Sequence, residues 1–150
     1  MLQRVAHLGL QSIGWMYNGQ TLEDPINGRT YRKMLPYGRV RTRSNALAPH
    51  SLSLERHRAL WVFLSEFTDF FTSSARMLHM APEYCFIKRF RSVSSLDYVT
   101  GDLDSPWADH HFDVHSIPFD DASFDIIMAN HLMEHVDDDH AVLREFYRIL

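Results

Sequence analysis

Residues 117–136 read IPFDDASFDIIMANHLMEHV. Two readings compete for this stretch. Its second half holds His131-Leu-Met-Glu134-His135, which fits the H-x-x-E-H pattern of zinc hydrolases. On a helix, two histidines four apart share a face and can both ligate zinc, with the glutamate beside them as general base. The first half reads differently. SFDIIMAN is nearly continuous in apolar residues, as expected of a strand buried on both faces. Asn130-His131 then follows a strand directly, so no helix spans both histidines. Downstream, only Glu145 is suited to be a third ligand. The strand reading is preferred, with no metal and with Glu134 and His135 as packing or capping residues.

The same rhythm extends outward. Downstream, Asp137-Asp138-Asp139 caps a helix in which Val142, Leu143, Phe146, Tyr147 and Leu150 share one side. Upstream, RMLHM is a short apolar run that stops at Ala81-Pro82-Glu83. Pro82 suits the first turn of a helix, and Glu83 suits its positive end. LDYVT makes a second strand, ending at Gly101-Asp102, and HFDVH a third extended segment. Short apolar strands alternating with helices imply an α/β fold with a parallel sheet and right-handed crossovers.

Such sheets bind ligands at the carboxyl ends of their strands. There the sequence places HMAPE, Asp102, Asp113 and Asn130-His131 in order. A carboxylate just past a second strand can accept hydrogen bonds from ribose hydroxyls, and one at the third from an exocyclic adenine amine.

With those residues in view, Arg76 to Leu150 resembles the class I S-adenosylmethionine-dependent methyltransferases, of the type 11 kind. The resemblance rests on RMLHMAPE, LDYVTGDLDSP, FDVHSIPFDDASFDIIMANHLMEHV and HAVLREFYRIL. It implies a Rossmann-like sheet, S-adenosylmethionine as cofactor and methyl transfer to an acceptor that the sequence does not name. It also implies cofactor contacts from His79, Met80, Ala81, Pro82 and Glu83 for the methionine part. Asp102 would take the ribose, Asp113 and Val114 the adenine, and Asn130 and His131 would close the cleft. Two departures stand out. Most relatives have a glycine-rich loop where this chain has Ala81-Pro82-Glu83, a version that resembles that of some branches, and His79 stands where an acid is usual. The family sheet runs 3-2-1-4-5-7-6, whereas this chain stops at FYRIL after about four strands. It therefore reads as a methyltransferase interrupted after strand four, with that strand as an exposed edge through which copies could associate. The alternative is a remnant that binds a nucleotide or nucleic acid without catalysis.

The N-terminal half is read separately. Residues 1–17 have the spacing of a short amphipathic helix. Residues 18–50 are rich in Gly, Pro and Asn, a loop-heavy section with one short hairpin around Tyr31 to Leu35. This section resembles the front module of one methyltransferase branch, a small zinc ribbon. The presumed cysteine positions are Asp24, Asn27, Ala48 and Ser51 here, so no zinc is expected. In SLSLERHRALWVFLSEFTDFF the residues Leu60, Trp61, Leu64, Phe67 and Phe71 make one apolar helical face, with Ser53 as N-cap. The division expected is 1–50 for the ribbon-like module, 51–75 for a connecting helix and 76–150 for the methyltransferase part.

Composition bounds the rest. Residues 1–60 carry nine Lys/Arg and three acids, a balance of +6, while residues 101–150 carry two Arg and twelve acids, a balance of −10. The basic half with interleaved tyrosines could contact nucleic acid, although no nucleic-acid-binding motif accompanies it. No apolar run approaches the ~18 residues of a membrane span. A single cysteine, Cys85, excludes an internal disulfide and points to the reducing cytoplasm.

Overall fold

A computed structural model describes residues 9–150 of the chain. It contains two compact units that meet in sequence at Phe70 and Phe71. Of the helix expected over residues 1–17, residues 1–8 lie outside the described residues. Residues 9–12 are helical and lead into a 3-10 turn, Gly14–Tyr17.

The first unit holds two hairpins rather than one. Strands β1 (Asn18–Asp24) and β2 (Arg29–Tyr31) pair antiparallel, as do β3 (Leu35–Tyr37) and β4 (Arg43–Leu47). The single hairpin expected at Tyr31 to Leu35 is thus the link between two others. Pro25 to Gly28 supplies the first turn, with Gly28 at φ 69°, a conformation glycine adopts without cost. At the positions that resemble a ribbon's ligand sites, fully buried Asp24 accepts from Ile26 N at 3.2 Å and Ser53 Oγ at 3.4 Å. Ser51 Oγ accepts from Ser53 N, and Tyr31 Oη bonds His50 Nδ1. Helix α1 (Glu55–Glu66) follows. Its N-cap is Leu54, not Ser53, and His57 Nδ1 accepts from Leu54 N at 3.1 Å. The expected apolar face is shorter than its spacing suggests. Leu64 is buried, but Phe67 lies past the helix end, 72% exposed, and Phe71 belongs to the second unit.

The second unit is a four-stranded parallel sheet in the order β7-β6-β5-β8. Its strands are β5 (Ala75–Met80), β6 (Leu96–Asp102), β7 (His110–His111) and β8 (Ile126–Met128). In order of appearance this is 3-2-1-4, a partial Rossmann-like arrangement. β5 is central, paired with β6 from Ala75↔Leu96 to Met80↔Gly101 and with β8 from Met77↔Ile126 to His79↔Met128. Side chains alternate across a strand. Leu78 and Met80 join Val114, Phe124, Val142 and Ile149 in one cluster, which includes helix α3 (Asp139–Ile149). His79, between them, faces Phe86 and Phe90 of helix α2 (Tyr84–Phe90). The two helices therefore cover opposite faces, giving three layers.

Three sequence expectations need adjustment. HFDVH is extended only at its start, because Asp113 Oδ1 accepts from His115 N at 2.9 Å and bends residues 113–116 into a turn. β8 is shorter than SFDIIMAN and lies at the sheet edge, so Ile126 and Ile127 are only partly covered. On α3, Asp138 caps the helix by accepting from Ala141 N. Val142 and Ile149 are buried and Phe146 packs on the core, whereas Leu143, Tyr147 and Leu150 are exposed.

Arg148 fastens α3 to the IPFDD loop. Its guanidinium donates to Ile117 O, Phe119 O, Asp121 and Glu145, while Glu145 Oε2 accepts from Ile117 N at 2.8 Å. These bonds, Arg148 first, hold the Glu145 carboxyl down from 4.5 to about 2. A carboxyl depressed by folding stabilises the native state above its ordinary value and loses that contribution as pH falls toward the folded value. The unfolding temperature is therefore expected to drop as pH is lowered from 4.5 toward about 2. Glu145→Gln should flatten part of that slope in thermal melts across this range.

Candidate functional site

The carboxyl ends of β5, β6 and β7 open into a cleft of about 350 Å³, within the range of small-molecule sites. It is lined by Met80 and Ala81, by Asp102 and Leu103, by Phe112, Asp113, Val114 and His115, and by Leu132, His135, Val136 and Asp137. Each strand end contributes through a turn that begins where the strand pairing stops.

After β5 the chain turns sharply at Ala81, which has φ 48° and donates its N–H to Gly101 O at 2.9 Å. This left-handed conformation is the one a glycine-rich loop would adopt freely, and here alanine bears its cost. After β6, Asp102 Oδ1 accepts from Asp104 N at 2.9 Å and Ser105 N at 2.8 Å. Among the described residues, Oδ2 has no protein donor. After β7, Asp113 Oδ1 accepts from both His115 N and His115 Nδ1, the latter at 2.6 Å. Those bonds draw the Asp113 carboxyl below its usual range and leave Oδ2 for another donor. Val114 N–H makes no hydrogen bond to the protein among the described residues, although the residue is buried.

Five of the ten residues expected to hold a cofactor thus line one cleft: Met80, Ala81, Asp102, Asp113 and Val114. The other five do not line it. Pro82 is buried beneath the turn. His79 has no exposed surface, bonding Tyr98 Oη through Nδ1 at 2.8 Å and Glu83 Oε2 through Nε2 at 2.6 Å. Glu83 Oε1 also accepts from Asn130 Nδ2 at 3.0 Å. His131 is exposed, at φ 53°, with Nδ1 3.0 Å from Glu134 Oε1. The H-x-x-E-H string is divided between this turn and a short 3-10 turn, Met133–His135. Its two histidines therefore do not share a face of an α-helix. Sequence reasoning missed Phe112 and His115, whose signal was adjacency to Asp113-Val114. It also missed Leu132 and His135 to Asp137, which follow strand four as the cleft's far wall.

A family model described as a methyltransferase domain matches residues 70–150. It spans just over half of the 150 residues, and the chain belongs to this family, the class I kind that its motifs resemble. No curated protein matches the chain.

Two substitutions probe the strained turn and its neighbour. Ala81→Gly removes the left-handed penalty of ~1–2 kcal/mol but adds unfolded-state entropy. A net gain of about 0.5–1 kcal/mol is expected in denaturant titrations. At Gly101 an added Cβ would lie 2.5 Å from Phe112 Cζ and 3.3 Å from Met80 Sδ. Gly101→Ala is expected to cost about 1–3 kcal/mol by overpacking, and to push the Phe112 ring toward the cleft.

Proposed function

We propose that the chain binds S-adenosylmethionine in this cleft and serves methyl transfer from it to an acceptor nucleophile. The observation that carries the reading is the donor and acceptor set left open at the strand ends. Asp102 Oδ2 is an acceptor suited to a ribose diol. Asp113 Oδ2 is an acceptor suited to an exocyclic amine, and the adjacent Val114 N–H is a donor suited to a purine ring nitrogen. These groups meet in a cleft whose floor is apolar, with Met80, Val114 and Phe112 among its lining. That mixture fits a nucleoside.

Bound there, the cofactor supplies a methyl group activated on a sulfonium. The residues of the cleft bind and orient rather than exchange protons. Asp102 and Asp113 each use one oxygen to fix their own loop and keep the other for the ligand. Holding two reactants in line is the main contribution expected of such a site.

Two outcomes separate this reading from a non-catalytic remnant. Calorimetry with S-adenosylhomocysteine tests the site, and release of S-adenosylhomocysteine in the presence of candidate acceptors tests turnover. Asp102→Ala is expected to weaken S-adenosylhomocysteine binding about ten- to a hundredfold, the loss of hydrogen bonds to a charged group. Asp113→Ala should weaken it as well. Unchanged affinity in both variants would refute the site.

A further inference from the structure

The β3–β4 hairpin ends in a tight turn over residues 38–42. Gly38 has φ 132°, a backbone conformation that favours glycine, and an added Cβ there would collide with Arg41 O. Thr42 Oγ1 donates to Gly38 O at 3.3 Å across the turn. Below the turn Tyr37 pairs with Arg43. The Arg43 guanidinium donates to both carboxylate oxygens of Glu55 on α1, at 3.0 and 3.2 Å. One arginine of the stretch GRVRTR thus braces the hairpin. The other two, Arg39 and Arg41, are exposed and have no acidic or hydrogen-bonding partner among the described residues. Val40 between them is fully exposed, and the Tyr37 ring is 48% exposed, with no ring partner among the described residues.

The surrounding segment carries charge of the same sign. Residues 18–50 hold six Lys/Arg against two acids, and one of those acids, Asp24, is fully buried. A braced turn that holds two bare guanidinium groups beside an open aromatic ring has the two parts of a single-strand binder. The cations suit phosphates, and the ring offers a flat face to an unstacked base. A lipid surface would ask for a broader apolar face than one valine. An acidic protein would leave the ring without a role. We propose that this hairpin tip, Tyr37 with Arg39 and Arg41, binds single-stranded nucleic acid. The inference stands on the first unit alone and does not rest on the cofactor reading.

Fluorescence anisotropy on the full chain tests it. Labelled oligouridine and oligothymidine are the nucleic-acid probes, and labelled heparin is a polyanion without bases. The wild-type chain is expected to bind at least one oligonucleotide, more weakly as salt rises. Changing Arg39→Gln and Arg41→Gln together should weaken that binding at least about tenfold at low salt. It should also lower the log–log salt slope by about 1.4, two phosphates at ~0.7 each. Heparin should weaken alongside. Tyr37→Ala should weaken the oligonucleotide about fivefold or more, as loss of one stacked base does, and leave heparin within about twofold. Tyr37→Phe, which keeps the ring, should bind like the wild type. Thermal melts confirm folding of these surface variants. Absence of oligonucleotide binding, or binding unchanged in the double arginine variant, overturns the proposal. So does a Tyr37→Ala variant that weakens heparin and oligonucleotide equally, or neither. Tighter binding to vesicles of anionic lipid than to either oligonucleotide would assign the tip to a membrane surface instead. Salt-sensitive self-association without oligonucleotide binding would make the partner a second copy and overturn the proposal as well.

Discussion

The central strand β5 is hydrogen-bonded along both edges and packed on both faces. Met77 to Met80 are all buried, and α2, α3, β6 and β8 each take their place against this segment. Two consequences follow from such complete burial. The strand cannot tolerate an unsatisfied polar group, so His79 dictates the identities of its neighbours, Tyr98 on β6 and Glu83 beyond the turn. The chain must also leave the sheet abruptly when the pairing ends, because continuing straight would carry Ala81 to Glu83 past the last residues of β6. The left-handed Ala81 is the result. The site at the strand ends is therefore a product of the same packing that makes the fold.

Much of this was legible in the sequence, and for a physical reason. A strand covered on both faces is mostly apolar, so RMLHM announces itself without a homologue; SFDIIMAN also marks a strand, although β8 is shorter, lies at the edge and is only partly covered. Carboxylates following successive strands point in the same way to the edge where the cleft lies. What escaped notice was governed by short-range hydrogen bonding that composition does not encode. HFDVH looks extended, yet one bond from His115 N to Asp113 Oδ1 closes a turn inside it. In the first unit, three-residue strands such as Arg29–Tyr31 are too short for any alternation to show. The helix α3 carries apolar residues on more than one side, so its spacing alone could not say that Val142 and Ile149, not Leu143 and Tyr147, would be buried. The place of His79 was legible; its burial, and its bonds to Tyr98 and Glu83, were not.

The positions where the sequence resembles a zinc ribbon are held together without metal ligands of that kind. A zinc site joins two hairpin turns by four short metal bonds. Here the two turns are joined by Asp24 and Ser53 at 3.4 Å, and by a Tyr31–His50 pair whose rings lie 5.8 Å apart. The Asp24 side chain is fully buried, yet among the described residues its Oδ2 makes no hydrogen bond. Burying such a group is costly. The unit draws its cohesion from apolar burial around it: Ile26, Tyr31, Met34, Ala46 and Ala48 are each less than 5% exposed.

Within the second unit, the same economy governs the two aspartates of the cleft. Each spends one oxygen on its own loop: Asp102 on the N–H groups of residues 104 and 105, Asp113 on the N–H and ring of His115. Each leaves its other oxygen without a protein donor among the described residues. In the proposed reading the support and the binding group are thus the same side chain, and no separate element is needed to orient it. This arrangement suits a site assembled at strand ends, where the backbone has just lost its ladder and has donors to spare. It also explains why the residue type matters at these positions. A glutamate is one methylene longer and would not close the two-residue turn in the same geometry. An asparagine could close it but would present an amide where a charge is wanted. Only aspartate meets both demands from one Cβ.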